Sequence, residues 1–352
     1  MASVYVTIRA QVEEHAVVTA RDVARLAGVS QATVSRVLHD HDSVSEDTRA
    51  RVLLVLAETG YQPNVAARAM RTNRTDTIGL IVDDVTNPFY PELIKALTKE
   101  LDRAELRMIL WNSAGPGESA ALQAIDQRLI DGLLFTTATA RSAPLASAIR
   151  RGAPVVLVNR GVPGLPCDQV DSDNADGAAR VAAYFAAAGH RRVGLVGGPE
   201  SASTARDRMA GYRRGCAEYG LELAEDCVAN GDFTHDGGQS AMHTILERTG
   251  RNHPTAVFCT NDFSAFGALD AIRTHGLAVP EQVWVSGYDD IAMAAWGAFS
   301  LSTVRQQLSD MAQIAVTLLR ERIGSPDRAL VHHRFRNELV ARRTTAHVEP
   351  PA

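Results

Sequence analysis

Apolar residues recur at helical spacing in three short bursts before residue 60. In "DVARLAGVSQATVSRVL" (22–38), Val23, Leu26 and Ala27 share one helical face, and Val34, Val37 and Leu38 share another. Thr19, with Asp22 three residues on, makes a capping-box-like start. Gly28 can take the left-handed conformation that ends a helix, and Ser30 can cap the next. Ser45 caps a third stretch with the stripe Val52, Val55, Leu56 and Thr59, closed by Gly60. Two short helices joined by a glycine-containing turn, then a third, predict an all-α helix-turn-helix unit over 18–63. So small a core is marginal alone. Pro63 stops the third helix, and Asn64 can cap a short new one, which predicts a hinge helix and linker over 64–75.

After Asp76 the pattern changes. "TIGLIV", "RMILW", "GLLFTT" and "PVVLVN" read as buried strands, with "YPELIKALTKELDRA" and "ESAALQAIDQRLI" as helices between them. The alternation restarts with "RRVGLVGG", "TAVFCTND" and "VWVSGYD". Strand–helix alternation predicts an α/β core of parallel sheets covered on both faces. The strands are too many for one compact sheet, so two lobes are expected within 76–345. The first takes about 76–170 and 303–330, the second about 171–302 and 331–345. Residues 1–17 are expected to be a disordered extension.

Chemistry can be placed on these elements. The second helix exposes Gln31, Ala32, Thr33, Ser35 and Arg36. Small side chains let a backbone approach DNA, and Gln or Arg can pair bidentately with a purine in the major groove. The bland alternative is a helical cap with a solvated face. In the core, the strands end in Asp83 and Asp84, in Asn159, in a Gly-rich turn leading to Arg208, in Asn261 and Asp262, and in Asp289 and Asp290. Ligands of open parallel sheets bind beyond these carboxyl ends. Each such residue has a competing reading as a helix N-cap.

Composition narrows this picture. The chain has 352 residues, 45% of them hydrophobic, enough for two or three domains. No apolar run reaches membrane-spanning length, and the N-terminus lacks the long apolar stretch of a secretory signal, so a cytoplasmic protein without membrane contact is expected. Cys167, Cys216, Cys227 and Cys259 are widely spaced, which predicts reduced structural thiols and neither a metal site nor a cofactor. The net charge of −5 does not announce a nucleic-acid binder, and residues 21–75 carry eight arginines against six acids. DNA binding must therefore rest on placement, with Arg36, Arg68, Arg71 and Arg74 as phosphate contacts. Each of these could instead merely solubilise a helical surface.

The segments "VTARDVARLAGVSQATVSRVL", "VSEDTRARV", "GYQPNVAARAMRT", "TIGLIV", "NPFY", "DSDNADGA", "GHRRVGLVGGPE", "RMAGYRRG", "TNDFSAFGALDAIRTHGLAVP", "VSGYDDI", "LSTVRQ" and "ELVARRTT" occur in one order. Together they resemble the lactose-repressor (LacI/GalR) family of bacterial transcription regulators. The resemblance spans nearly everything from Val18 onward. It implies a periplasmic-binding-protein-like core of two α/β lobes joined by three crossovers, with an effector cleft between them. It places DNA binding on Thr19, Ser30, Gln31, Ala32, Thr33, Ser35, Arg36, His39, Tyr61, Asn64, Ala67, Arg68, Met70 and Arg71. Met70 stands where the family has a leucine that wedges into the minor groove, and His39 where Asn is common. It places the effector on Phe89, Tyr90, Arg208, Phe233, Asn261 and Asp289, to which the strand-end pattern adds Asn159. Core packing competes for Phe89 and Phe233.

The implied function is a dimeric repressor that binds a near-palindromic operator and answers to a small polar effector, a sugar or sugar derivative. The rival readings are a cytoplasmic α/β sugar-processing enzyme with an appended DNA-binding domain, and a transport solute-binding protein. "GLVGG" lacks the full G-x-G-x-x-G spacing of a dinucleotide loop, and neither G-x-S-x-G nor H-E-x-x-H occurs. No catalytic residue is assigned. No heptad repeat follows "ELVARRTTAHVEPPA", so a tetramer-forming coiled coil is not expected.

Overall fold

The computed structural model describes residues 18–38, 40–61, 72–113, 115–139 and 142–345. The chain divides into two compact units between Thr75 and Asp76.

The N-terminal unit contains α1 (Ala20–Ala27), α2 (Gln31–Leu38) and α3 (Glu46–Thr59). Thr19 and Asp22 form a reciprocal capping box at the start of α1. Gly28 ends α1 at φ +66°, a conformation that costs a residue with a Cβ. Its N–H and that of Val29 return to carbonyls of the last turn. Ser30 Oγ then accepts from Thr33 N at 3.1 Å and starts α2. Ser45 caps α3, and Gly60 closes it. Val23, Ala24, Ala27, Val34, Val37, Val52 and Val55 form one buried cluster, with Leu26, Leu38, Leu56 and Tyr61 packed at its edge.

The second unit holds β1 (Thr77–Val82), α4 (Phe89–Arg103), β2 (Arg107–Asn112), α5 (Gly117–Asp126), β3 (Gly132–Phe135), α6 (Ala143–Arg150), β4 (Val155–Val158) and β5 (Asp168–Ser172). There follow α7 (Asn174–Ala187), β6 (Val193–Gly197), α8 (Ser203–Glu218), β7 (Val228–Asn230), α9 (His235–Thr249), β8 (Ala256–Cys259), α10 (Asp262–Thr274) and β9 (Trp284–Ser286). The chain ends in β10 (Thr303–Arg305), α11 (Leu308–Gly324), β11 (His332–Phe335) and β12 (Glu338–Val340). One parallel sheet runs β11-β5-β4-β3-β1-β2, and a second runs β7-β6-β8-β9. β10 and β12 pair antiparallel.

Burial on both faces explains the continuous apolar strands. Along β1, Ile78, Leu80 and Val82 pack with α4 and α11, whereas Ile81 packs with α5 and α6 on the other side. Along β8, Val257 and Cys259 face one cluster, and Ala256 and Phe258 the other.

Three connections pass between the sheets: β5 to α7, β10 to α11, and β11 to β12. Two expected lobe boundaries need correction. Residues 332–335 were expected in the second lobe, but β11 extends the first sheet beside β5. Residues 303–305 were expected in the first lobe, but β10 pairs with β12 and bridges the segment after β9 through Asp289 and Arg305. The helix expected over 118–130 stops at Asp126, and Arg128 is left-handed at φ +56°.

Candidate functional site

Two surfaces carry the expected chemistry. In the N-terminal unit, α2 buries Val34 and Val37 and turns Gln31, Ala32, Ser35 and Arg36 to the opposite face. Gln31, Ala32 and Arg36 are exposed, while Thr33 and Ser35 are half-buried. Arg36 has no ion-pair partner among the described residues. Thr19 and Ser30 are exposed, but their hydroxyls already serve as caps. The Tyr61 ring packs at the edge of the core, so only part of it faces outward. His39, Asn64, Ala67, Arg68, Met70 and Arg71 lie outside the described residues.

In the second unit, a cavity of about 270 Å³, its open mouth included, lies beyond the carboxyl ends of both sheets. All seven expected residues line it: Phe89, Tyr90, Asn159, Arg208, Phe233, Asn261 and Asp289. Asn87, Arg160 and Thr204 also line it and were not anticipated. Asn87 lies two residues before Phe89, Arg160 directly follows Asn159, and Thr204 is one turn before Arg208. Proximity to a named residue was the only signal for them.

Arg208 is buried on α8 and held on every side. Its Nε donates to Asn174 Oδ1 at 2.7 Å, one terminal nitrogen donates to the Thr260 carbonyl at 2.7 Å, and the other meets Asp289 Oδ1 at 2.9 Å. Its guanidinium carbon sits 3.8 Å from the centroid of the Tyr288 ring. Asp289 also accepts from Gln306 Nε2 at 2.7 Å, and its backbone is left-handed at φ +116°. Burial pushes its carboxyl up, and Arg208 and Gln306 pull it back toward the charged form.

The first lobe supplies the opposite wall. Arg160 donates to the Tyr90 hydroxyl at 3.2 Å and to Asp83 at 3.3 Å. Burial drives the Tyr90 hydroxyl far above its usual range, so it stays protonated. Phe89 belongs to the apolar core as well as to the cavity wall, and meets Tyr90 edge-on at 5.4 Å.

The cap readings are settled residue by residue. Asn261 does both jobs: its Oδ1 accepts from Ser264 N to cap α10, and its Nδ2 donates to the Phe233 carbonyl at 3.0 Å. Asn87 donates to the same carbonyl from the first lobe at 3.5 Å. Asp84 closes a turn on Thr86 N, and Asp290 pairs with Arg305 and Arg342. Asp262 is wholly buried and receives Thr303 Oγ1 and Ile291 N. These three do not line the cavity. "GLVGG" serves packing: a Cβ on Gly198 would meet the Phe233 ring at 2.6 Å.

Residues 19–64 match the family model of bacterial regulatory proteins of the lacI family, and residues 182–345 match that of a periplasmic binding protein-like domain. The ribose operon repressor of Haemophilus influenzae is 32% identical over 312 residues, 88% of this chain and 93% of that protein. The HTH-type transcriptional regulator GalS of Salmonella typhimurium is 34% identical over 332 residues, 94% of this chain and 97% of that protein. The structure of the lac repressor dimer bound to operator and the anti-inducer ONPF superposes with a TM-score of 0.82 at 25% identity, covering 93% of this chain and 99% of that one. With a capped helix-turn-helix at one end and a two-lobed cavity-bearing core at the other, the chain belongs to the lacI family of bacterial regulatory proteins and is a DNA-binding transcriptional regulator.

Proposed function

We propose that this regulator is a homodimeric repressor whose affinity for a near-palindromic operator is set by a small polar effector, a sugar or sugar derivative, bound between the two lobes. The convergence of seven expected residues on one cavity supports the effector assignment. Arg208 and Asp289 present paired charged hydrogen-bonding groups, and Phe233 offers an aromatic wall, a combination suited to hydroxylated rings. The outward face of α2 supports reading of base edges by Gln31 and Ala32, with Arg36 on phosphate.

Dimer formation has a candidate surface. β2 is an edge strand of the first sheet, with Ile109 and Leu110 42% and 44% exposed. Natural proteins cover or blunt a bare apolar edge of this kind, and a second copy of the chain would cover it here. Two α2 helices related by a two-fold axis then read two half-sites.

The cavity binds rather than transforms its ligand in this reading, because its charged groups are occupied with one another. Among the described residues no helix is long and apolar enough to cross a membrane, and we place the protein in the cytoplasm beside its operator. The hinge helix expected over 64–72, with Met70 as wedge, falls largely outside the described residues. It remains our proposal for how lobe movement reaches the DNA-reading unit.

The test is fluorescence anisotropy of the full-length protein on DNA from upstream of its own coding region, with ribose and related sugars added. Saturable binding to one near-palindromic segment, altered by a sugar, is expected. Binding that is equal on random DNA and indifferent to every sugar would refute the reading.

A further inference from the structure

This inference rests on the reading of the inter-lobe cavity as the effector site. We infer that the cavity takes an uncharged sugar and rejects phosphorylated forms, and that Asn159 and Arg160 are specificity-determining residues.

Charge is the first reason. Two guanidinium groups, Arg160 and Arg208, line the cavity. Each already faces a carboxylate: Arg208 meets Asp289 at 2.9 Å, and Arg160 meets Asp83 at 3.3 Å. The fixed charges therefore cancel. An anionic ligand finds no spare cation, and it must approach the Asp289 carboxylate on the same wall. Taking a charge out of water without a partner is costly.

Hydrogen bonding is the second. Asn159 Oδ1 and Arg160 Nε are buried without partners among the described residues, and the two residues are only 5% and 8% exposed. Asp289 takes its bonds from Arg208 and Gln306 on Oδ1, and its Oδ2 receives none among the described residues. The wall of the cavity thus holds two oxygens that accept and a guanidinium nitrogen that only donates. A hydroxyl both donates and accepts, so neighbouring hydroxyls can satisfy all three. A phosphate group at neutral pH offers oxygens that mainly accept, so where it replaces a hydroxyl it leaves the acceptor facing that position unserved at a desolvation cost.

Asn159 has φ +71°, an uncommon backbone for a residue with a side chain, directly after β4. Arg160 is held by Tyr90 and Asp83, so its side chain is fixed before a ligand arrives.

Isothermal titration of the full-length protein tests this with neutral aldoses and polyols, the terminal phosphate esters of ribose, glucose and galactose, cellobiose, and guanine. A neutral monosaccharide should bind, and its phosphate ester at least about tenfold more weakly. Asp83→Asn should narrow that ratio by about threefold, because it releases the Arg160 charge from a half-exposed partner. Asn159→Ala should weaken the neutral sugar while leaving the ester little changed. A phosphate ester that binds as tightly as its parent, or preference for guanine over every sugar, overturns the inference alone. Failure of every carbohydrate to bind overturns the effector reading beneath it as well.

Discussion

Gln306 donates its Nε2 to Asp289 Oδ1 at 2.7 Å while its Oε1 accepts from Ser172 Oγ at 2.8 Å. Gln306 lies on the connection from β10 to α11, and Ser172 ends β5 where the chain first leaves the first sheet. One amide therefore joins the cavity carboxylate to two of the three crossings between lobes.

Removing that amide should separate binding from response. Gln306→Ala is expected to reduce the effect of effector on operator affinity by about 0.5–2 kcal/mol, with effector-free operator binding unchanged. Anisotropy titrations with and without saturating effector measure both quantities. Undiminished coupling in the variant would show that the lobe crossings are moved by other contacts. Because linkage is reciprocal, the same loss must appear in the effect of operator on effector affinity.

Asp289→Ala leaves the buried Arg208 charge without its carboxylate. Such one-sided breakage costs about 3–5 kcal/mol, so the melting temperature should drop clearly. The paired change Arg208→Met with Asp289→Leu should recover most of that stability and still bind no effector. Calorimetry of both proteins separates the stabilising role of the pair from its role toward ligand. Equal stability loss in the single and double variants would argue that Asp289 holds the fold through Gln306 instead.

Glu92 links the lobes by accepting from Ala292 N at 2.6 Å. Burial raises its carboxyl above the usual 4.5, against the lowering by that N–H, and Asp289 and Asp290 add to the rise. The folded state therefore holds this proton more tightly than the unfolded chain does. The associated stability is complete below pH 4.5 and is lost as pH rises through the higher folded value. Glu92→Gln keeps an acceptor and removes the titration. Its urea midpoint should gain on the wild type between pH 4.5 and 7, and a constant difference across that window would contradict the shift.

On the DNA side, Gln31→Ala should cost about 1–3 kcal/mol on the cognate operator and relax preference at one base pair. Arg36→Ala should weaken all sequences alike and lower the salt slope by about one unit. Binding to a set of operators mutated one base at a time distinguishes the two. Uniform losses for Gln31→Ala would remove it from the base-reading face.

The sequence made the three helices of the N-terminal unit legible because their signals are local. Thr19, Gly28, Ser45 and Gly60 each act within four residues. The apolar strands were legible for a similar reason, as runs buried on both faces. β5 and β11 were not. "DQVDS" and "HHRF" are polar runs, and they pair because their charges find partners far along the chain. Asp168 is gripped by Arg322 and Arg328, and Asp171 by His332 and Arg334. The cavity divides in the same way. Arg208, Asn261 and Asp289 sit in recognisable motifs, whereas Arg160 gains its place from Tyr90 and Asp83, 70 and 77 residues earlier. Spacing alone carries no trace of such contacts.

The path of the chain also sets an order on its synthesis. The first sheet is begun at Thr77, yet α11 and β11, which cover one face and extend its far edge, emerge from the ribosome long after it. Until Leu308 and the residues after it appear, Ile78, Leu80, Val156 and Val158 lack the apolar surface of Met311, Ala315 and Leu319. A message truncated before that point yields a DNA-reading unit tethered to an unfinished lobe with exposed apolar surface, a species prone to aggregation and degradation. Premature stops late in the gene should therefore behave as losses of the whole protein and not as repressors deaf to their effector.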